Sequence, residues 1–123
     1  MLVNQNTVVP TLLLPKDGTK RLARIYDFTV ECVLEDGTKT SIFITEADTD
    51  NNTVIVAYGD AEPQKKKCLQ IKVGIFIDSE LYIIADSLHP QYEKHFFEKL
   101  PKTEMNGESA IIVDKVALPK WYD

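Results

Sequence analysis

A chain of 123 residues that is 44% hydrophobic and 27% charged can close one core, so a single domain over residues 1–123 is expected. Its formal net charge is −5, with only Arg21 and Arg24 as arginines against 19 carboxylates. A nucleic-acid binder needs a basic excess to meet phosphate, so that partner class is set aside. No run reaches the roughly 18 apolar residues of a membrane span, and no basic segment precedes the first apolar run, so a cytoplasmic protein is expected.

The first apolar run, Val8 to Leu14, carries Pro10. Proline cannot donate to a ladder, which predicts an edge strand or a surface arm. A turn at Lys16-Asp17-Gly18-Thr19-Lys20 leads to a long strand from about Arg24 to Leu34. There Tyr26, Phe28, Val30, Cys32 and Leu34 share one face, and Asp27, Thr29 and Glu31 share the other. Asp36-Gly37 predicts a hairpin, with the return strand running through Thr40, Ile42 and Ile44.

Glu46 to Asn52 reads as an acidic loop. Its Asp48-Thr49-Asp50 start resembles a calcium loop, but Thr53 stands where that loop needs Gly and Gly59 where it needs Glu. A short strand, Thr53 to Tyr58, is followed by a turn-rich connection that ends in Lys65-Lys66-Lys67. Residues 68–78 then alternate: Leu69, Ile71, Val73, Ile75 and Ile77 form one apolar face, while Gln70, Lys72 and Gly74 form a wet one. Asp78-Ser79-Glu80 is so short a join that the following run, Leu81 to Ala85, must pair antiparallel.

One helix is expected over Pro90 to Leu100. Pro90 suits the first helical position, Tyr92, Phe96 and Leu100 form a buried stripe with Phe97 at its edge, and Pro101 ends the element. Asn106-Gly107 predicts another hairpin turn ahead of a last strand, Ala110 to Val116. The class expected is therefore α+β and mainly antiparallel: six to seven strands, as a sandwich or partly open barrel, with one helix near residues 90–100.

The inventory for chemistry is thin. His89 and His95 are six residues apart, a spacing that points two helical side chains away from each other. Cys32 and Cys68 each fall inside a strand and read as small buried residues. No Gly-rich phosphate loop and no nucleophile elbow is present. No catalytic residue, metal site or cofactor is assigned, and a binding protein is favoured over an enzyme.

Two groups of residues are singled out. Lys65, Lys66 and Lys67, together with Arg21 and Arg24, could hold an anion if folding joined them. Leu12, Leu14, Trp121 and Tyr122 are candidate interface residues, because exposed apolar residues near chain ends are costly for a monomer. The leading functional expectation is a cytosolic interaction module, an adaptor, inhibitor or immunity-type factor. It would bind a protein partner, a basic one given the acidic charge, and assemble as a homodimer. The alternative is a binder or sponge for a small anionic ligand or nucleotide signal at a subunit boundary, and a third reading is a small hydrolase using His89 or His95.

Overall fold

The alternating runs become eleven strands in a computed structural model that describes residues 1–8, 11–15, 18–22, 28–88, 96–105, 107–114 and 118–122. In chain order they are β1 (Leu2–Asn4), β2 (Thr11–Leu13), β3 (Lys20–Arg21), β4 (Phe28–Leu34), β5 (Lys39–Thr40), β6 (Ile44–Asp48), β7 (Thr53–Val56), β8 (Gln64–Ile77), β9 (Glu80–Asp86), β10 (Lys102–Met105) and β11 (Glu108–Ile112). Seven of them form one sheet, in the order β1-β6-β7-β8-β4-β5, with β9 also paired to β8. Four form a second sheet, β10-β11-β2-β3. All these pairings are antiparallel except β11 with β2, so the mainly antiparallel expectation holds.

β8 is the spine of the larger sheet. Its first residues, Gln64–Lys67, pair with β7. Its later residues lie between β4 and β9, so that Lys72 has Glu31 on one side and Asp86 on the other. The sheet curls into a half-barrel: Val3 and Ile44 come from one end of the ladder and Phe28 and Val30 from beyond β8, yet all four line one groove. The β8–β9 turn is as tight as the sequence requires. Asp78 and Ser79 both take positive φ, 53° and 68°, the backbone of a two-residue hairpin whose twist matches its strands.

One hydrophobic cluster draws on both sheets, including Cys32, Ile71, Val73, Ile75 and Ile77 from the larger and Leu12 and Ile111 from the smaller, with Leu14 and Val113 just past the ends of β2 and β11. Two residues expected inside are outside. Leu69 is 51% exposed, because the β4–β8 register shifts between Val33 and Leu34: Val33 faces Gln70 and Leu34 faces Cys68, leaving Leu69 as the extra residue of a bulge. Ile42 is 61% exposed, because the return strand stops at Thr40 and Phe43 takes a φ of 61°, which turns the chain out of the ladder before β6 begins.

Other expectations are corrected as well. The α+β class fails among the described residues, which hold no α-helix. Residues 90–95 lie outside them, and Phe96–Lys99 form a 3-10 turn in which Phe97, expected at the edge of the stripe, is the buried ring at 2% exposure. The β2 run is not an edge, because it lies between β11 and β3; Pro10 lies outside the described residues. The acidic stretch is part of β6 and its hairpin turn, where Asp48 Oδ1 accepts from the amides of Asp50 and Asn51 and Oδ2 from Asn51 Nδ2 at 2.7 Å. The three lysines are strand residues rather than loop residues, since β8 starts at Gln64.

Candidate binding surfaces

The polypeptide leaves β5 at Ser41 and enters β6 at Ile44, and the two residues between them project outward. Ile42 is 61% and Phe43 51% exposed. The Phe43 carbonyl accepts from the Ala57 amide at 3.0 Å, which pins this corner to the end of β7. Beside it stands Tyr58, also largely exposed, with its ring centroid 4.8 Å from that of Phe43 and tilted by 53°. Such a pair is worth about 0.5–1.5 kcal/mol beyond its buried area. A left-handed backbone is a genuine outlier for a bulky side chain. The rings are thus held outward by main-chain geometry as well as by one another.

Next to this corner the curled sheet leaves a groove of about 270 Å³, lined by Val3, Phe28, Val30, Ser41, Ile44 and Glu46 among others. Its lining mixes apolar side chains with Ser41, Thr45 and Glu46. Glu46 Oε1 accepts from Asn4 Nδ2 at 3.3 Å, and Thr45 donates to the Ile55 carbonyl at 3.2 Å, so these groups already have partners. The mouth of a barrel is a common place for a binding site. None of these residues was singled out from the sequence as a binding residue. The only legible signal was Ile42-Phe43, which read as part of a continuing strand.

The basic candidates are not brought together. Arg21 on β3 pairs with Asp78, at the far end of β8 from the lysines. At a strand's rise per residue, Lys67 and Asp78 are on the order of 35 Å apart along the chain. Lys66 and Lys67 border a surface depression with Leu34, Glu35 and Asp36, so two carboxylates stand beside two ammonium groups. Hydrogen bonds from Thr38 hold the Asp36 carboxyl below its usual range, which keeps that negative charge in place. Arg24 lies outside the described residues, as do His89 and His95.

No protein-family model matches this chain, and neither does any curated protein or solved structure.

The interface candidates divide. Leu12 and Leu14 are each 2% exposed and pack in this chain's own core. Trp121 and Tyr122 lie in a segment that runs along β9. The Ile83 amide donates to Pro119 O at 2.8 Å, the Trp121 amide donates to Leu81 O at 3.0 Å, and Lys120 bridges Tyr82 antiparallel. Trp121 settles on Gly74, where a Cβ would come within 2.8 Å of its ring and 2.9 Å of the Tyr82 carbonyl oxygen. Lys72, 3% exposed, places its ammonium 4.5 Å from the Trp121 ring centre and 4.3 Å from that of Tyr122, and donates to the Tyr122 carbonyl. Glu31 Oε1 lies 3.2 Å away but off the line of a hydrogen bond, so the attraction there is that of an ion pair.

The segment also closes over Asp86, which is fully buried. Gln70 donates to it at 2.9 Å, the Leu88 amide donates to it at 2.9 Å, and the Tyr122 hydroxyl donates to its second oxygen. Burial, then the hydrogen bond to Asp86 and its charge, push the Tyr122 phenol up to about 12. Glu31, Lys72 and Asp86 thus form a charged row across three strands, closed beneath two aromatic rings. Cys32 and Cys68 are buried free thiols; burial first, then the neighbouring Cys68, pushes Cys32 up to about 12, where a thiol is a poor nucleophile at neutral pH.

Proposed function

We propose that this chain is a non-catalytic binding module that recognises a protein partner through Ile42, Phe43 and Tyr58, at the open side of the curled sheet. The observation that carries the reading is Phe43, an exposed ring on left-handed backbone beside a second exposed ring. Backbone of that kind costs a bulky residue on the order of 1–3 kcal/mol and clusters at functional sites. In the free chain the exposed rings gain little for that cost. A partner surface that covers them recovers the burial of three large apolar side chains, and aromatic anchors dominate the centres of protein interfaces. The adjoining groove offers a partner side chain somewhere to insert. The net charge of −5 favours approach by a basic partner.

The alternative, a small anion held by Arg21, Arg24 and Lys65 to Lys67, draws no support from lysines and an arginine at opposite ends of β8. A hydrolase based on His89 or His95 has no described geometry behind it.

The test uses the immobilised full chain and identifies what it retains by mass spectrometry. A variant with Ile42→Ser and Tyr58→Ala should weaken retention of that protein by tenfold or more, about 1.4 kcal/mol, while the chain remains folded. Alanine at Lys65, Lys66 and Lys67 should leave retention intact. A partner held equally well by the Ile42/Tyr58 variant, or lost with the lysines, would overturn the proposal.

A further inference from the structure

We propose that residues 118–122 are an exchangeable strand, and that two copies of this chain join by each placing this segment on the other's β9. The inference concerns a different face from the Ile42–Phe43–Tyr58 corner and stands independently of that reading.

The receiving site is built for one kind of ligand. β9 offers the Ile83 amide and the Leu81 carbonyl to an antiparallel strand. Gly74 leaves a hollow, floored by main chain, that admits an indole and would reject it if a Cβ were present. Lys72 lies beneath, its ammonium set to meet two aromatic faces and a carbonyl. Asp86 and Gln70 meet a phenol one residue beyond the indole. Any strand that satisfies all of these carries a Trp-Tyr pair in this register, and a second copy of the chain carries one.

The hold of the segment is also short. Among the described residues, its main-chain hold on β9 is two hydrogen bonds, the pair that makes the Tyr82–Lys120 bridge. Elements held by so few ladder bonds open at far lower free energy than a central strand. Once open, the site is equally complementary to its own segment and to that of another molecule, because the contacts are identical. In cis, the tether gives an effective concentration on the order of millimolar, so exchange grows with chain concentration. Reciprocal exchange uses the same surface on both copies and closes as a two-fold dimer.

Two full-length variants separate the halves of the device. Trp121→Ala keeps the receiving site and spoils the ligand; Gly74→Val keeps the ligand and blocks the site. Light scattering should give each alone as the 14.0 kDa monomer, while their mixture yields pairs of twice that mass. The wild-type chain should show a dimer fraction that rises with concentration. A mixture that stays monomeric with both variants folded overturns the proposal, as does pairing by Trp121→Ala alone or a wild-type chain that stays monomeric into the millimolar range. Should Gly74→Val not fold, a labelled peptide Leu-Pro-Lys-Trp-Tyr-Asp is titrated into Trp121→Ala. Saturable binding there, at least tenfold weaker to the wild type whose own segment competes, supports exchange; no binding overturns it.

Discussion

Along β8, Lys65 and Lys67 stand in solvent whereas Lys72, on the same strand, is 3% exposed. The first pair lies where, among the described residues, the strand pairs with β7 and leaves its lysines exposed. Lys72 lies where β4 and β9 flank the strand and the 118–122 segment covers it. The difference teaches that polar side chains on a strand report a wet face only when no further layer lies above it. Here the layer is the five residues 118–122, far from β8 in the sequence. It turns an apparent solvent face into a second, small, charged core, and it leaves the Ile42–Phe43–Tyr58 corner as the more open apolar feature.

The comparison can be sharpened by substitutions, starting with the largest effect. Ile71→Ala should cost about 4 kcal/mol, the usual loss for emptying a fully buried aliphatic site, whereas Leu69→Ala, two positions back on the bulge, should cost less than about 0.5 kcal/mol in urea denaturation. Equal costs would mean that the bulge is misplaced. Gly74→Val should cost about 3 kcal/mol, since its side chain collides with both the Trp121 ring and main chain, and it should redshift tryptophan emission as the indole is expelled. An unshifted spectrum would show that the indole does not rest there.

Lys72→Ala should cost about 2 kcal/mol, below the range for fully buried pairs because Glu31 keeps some access to water. Lys65→Ala should change stability by less than about 0.5 kcal/mol. A Lys72 variant as mild as the Lys65 one would erase the distinction between the two halves of β8.

Base should act on the same covered face. The Tyr122 phenol, ordinarily near 10, is held up to about 12 in the folded chain. The folded state therefore keeps the proton more tightly than the unfolded state does. The stability this confers is complete below about pH 10 and fades as pH rises toward 12. Tyr122→Phe should flatten stability over that window, and a slope that persists unchanged would assign it to another group. Phe43→Gly should change stability by less than about 1 kcal/mol, because relief of left-handed strain offsets the lost ring contact. Partner retention should nevertheless fall.

What the sequence disclosed follows from which interactions are local. The Asp36-Gly37 hairpin, the tight Asp78-Ser79 join and the buried face of Ile71 to Ile77 were legible because turn chemistry and period-two alternation are written in neighbouring residues. Leu69 was misplaced because a bulge depends on register against β4, which is invisible within β8 alone. Ile42 was misplaced because nothing in its neighbours marks Phe43 for positive φ. The lysine run was taken for a loop because its strand character comes from pairing with β7. Trp121 and Tyr122 stood out as aromatic residues needing cover, but the residues they cover, Lys72, Gly74 and Asp86, are linked to them only through the fold.

The central claim is that a partner meets the open corner and not the face closed by residues 118–122. Both faces carry a largely exposed aromatic residue, Tyr58 on one and Phe76 on β8 beside the other. Replacing each in turn by a photo-reactive phenylalanine analogue in the full chain, and irradiating in cells, compares them under the same conditions. A discrete covalent adduct with one partner protein is expected from position 58, and none with that partner from position 76. An adduct with that partner from position 76, with position 58 silent, would contradict it.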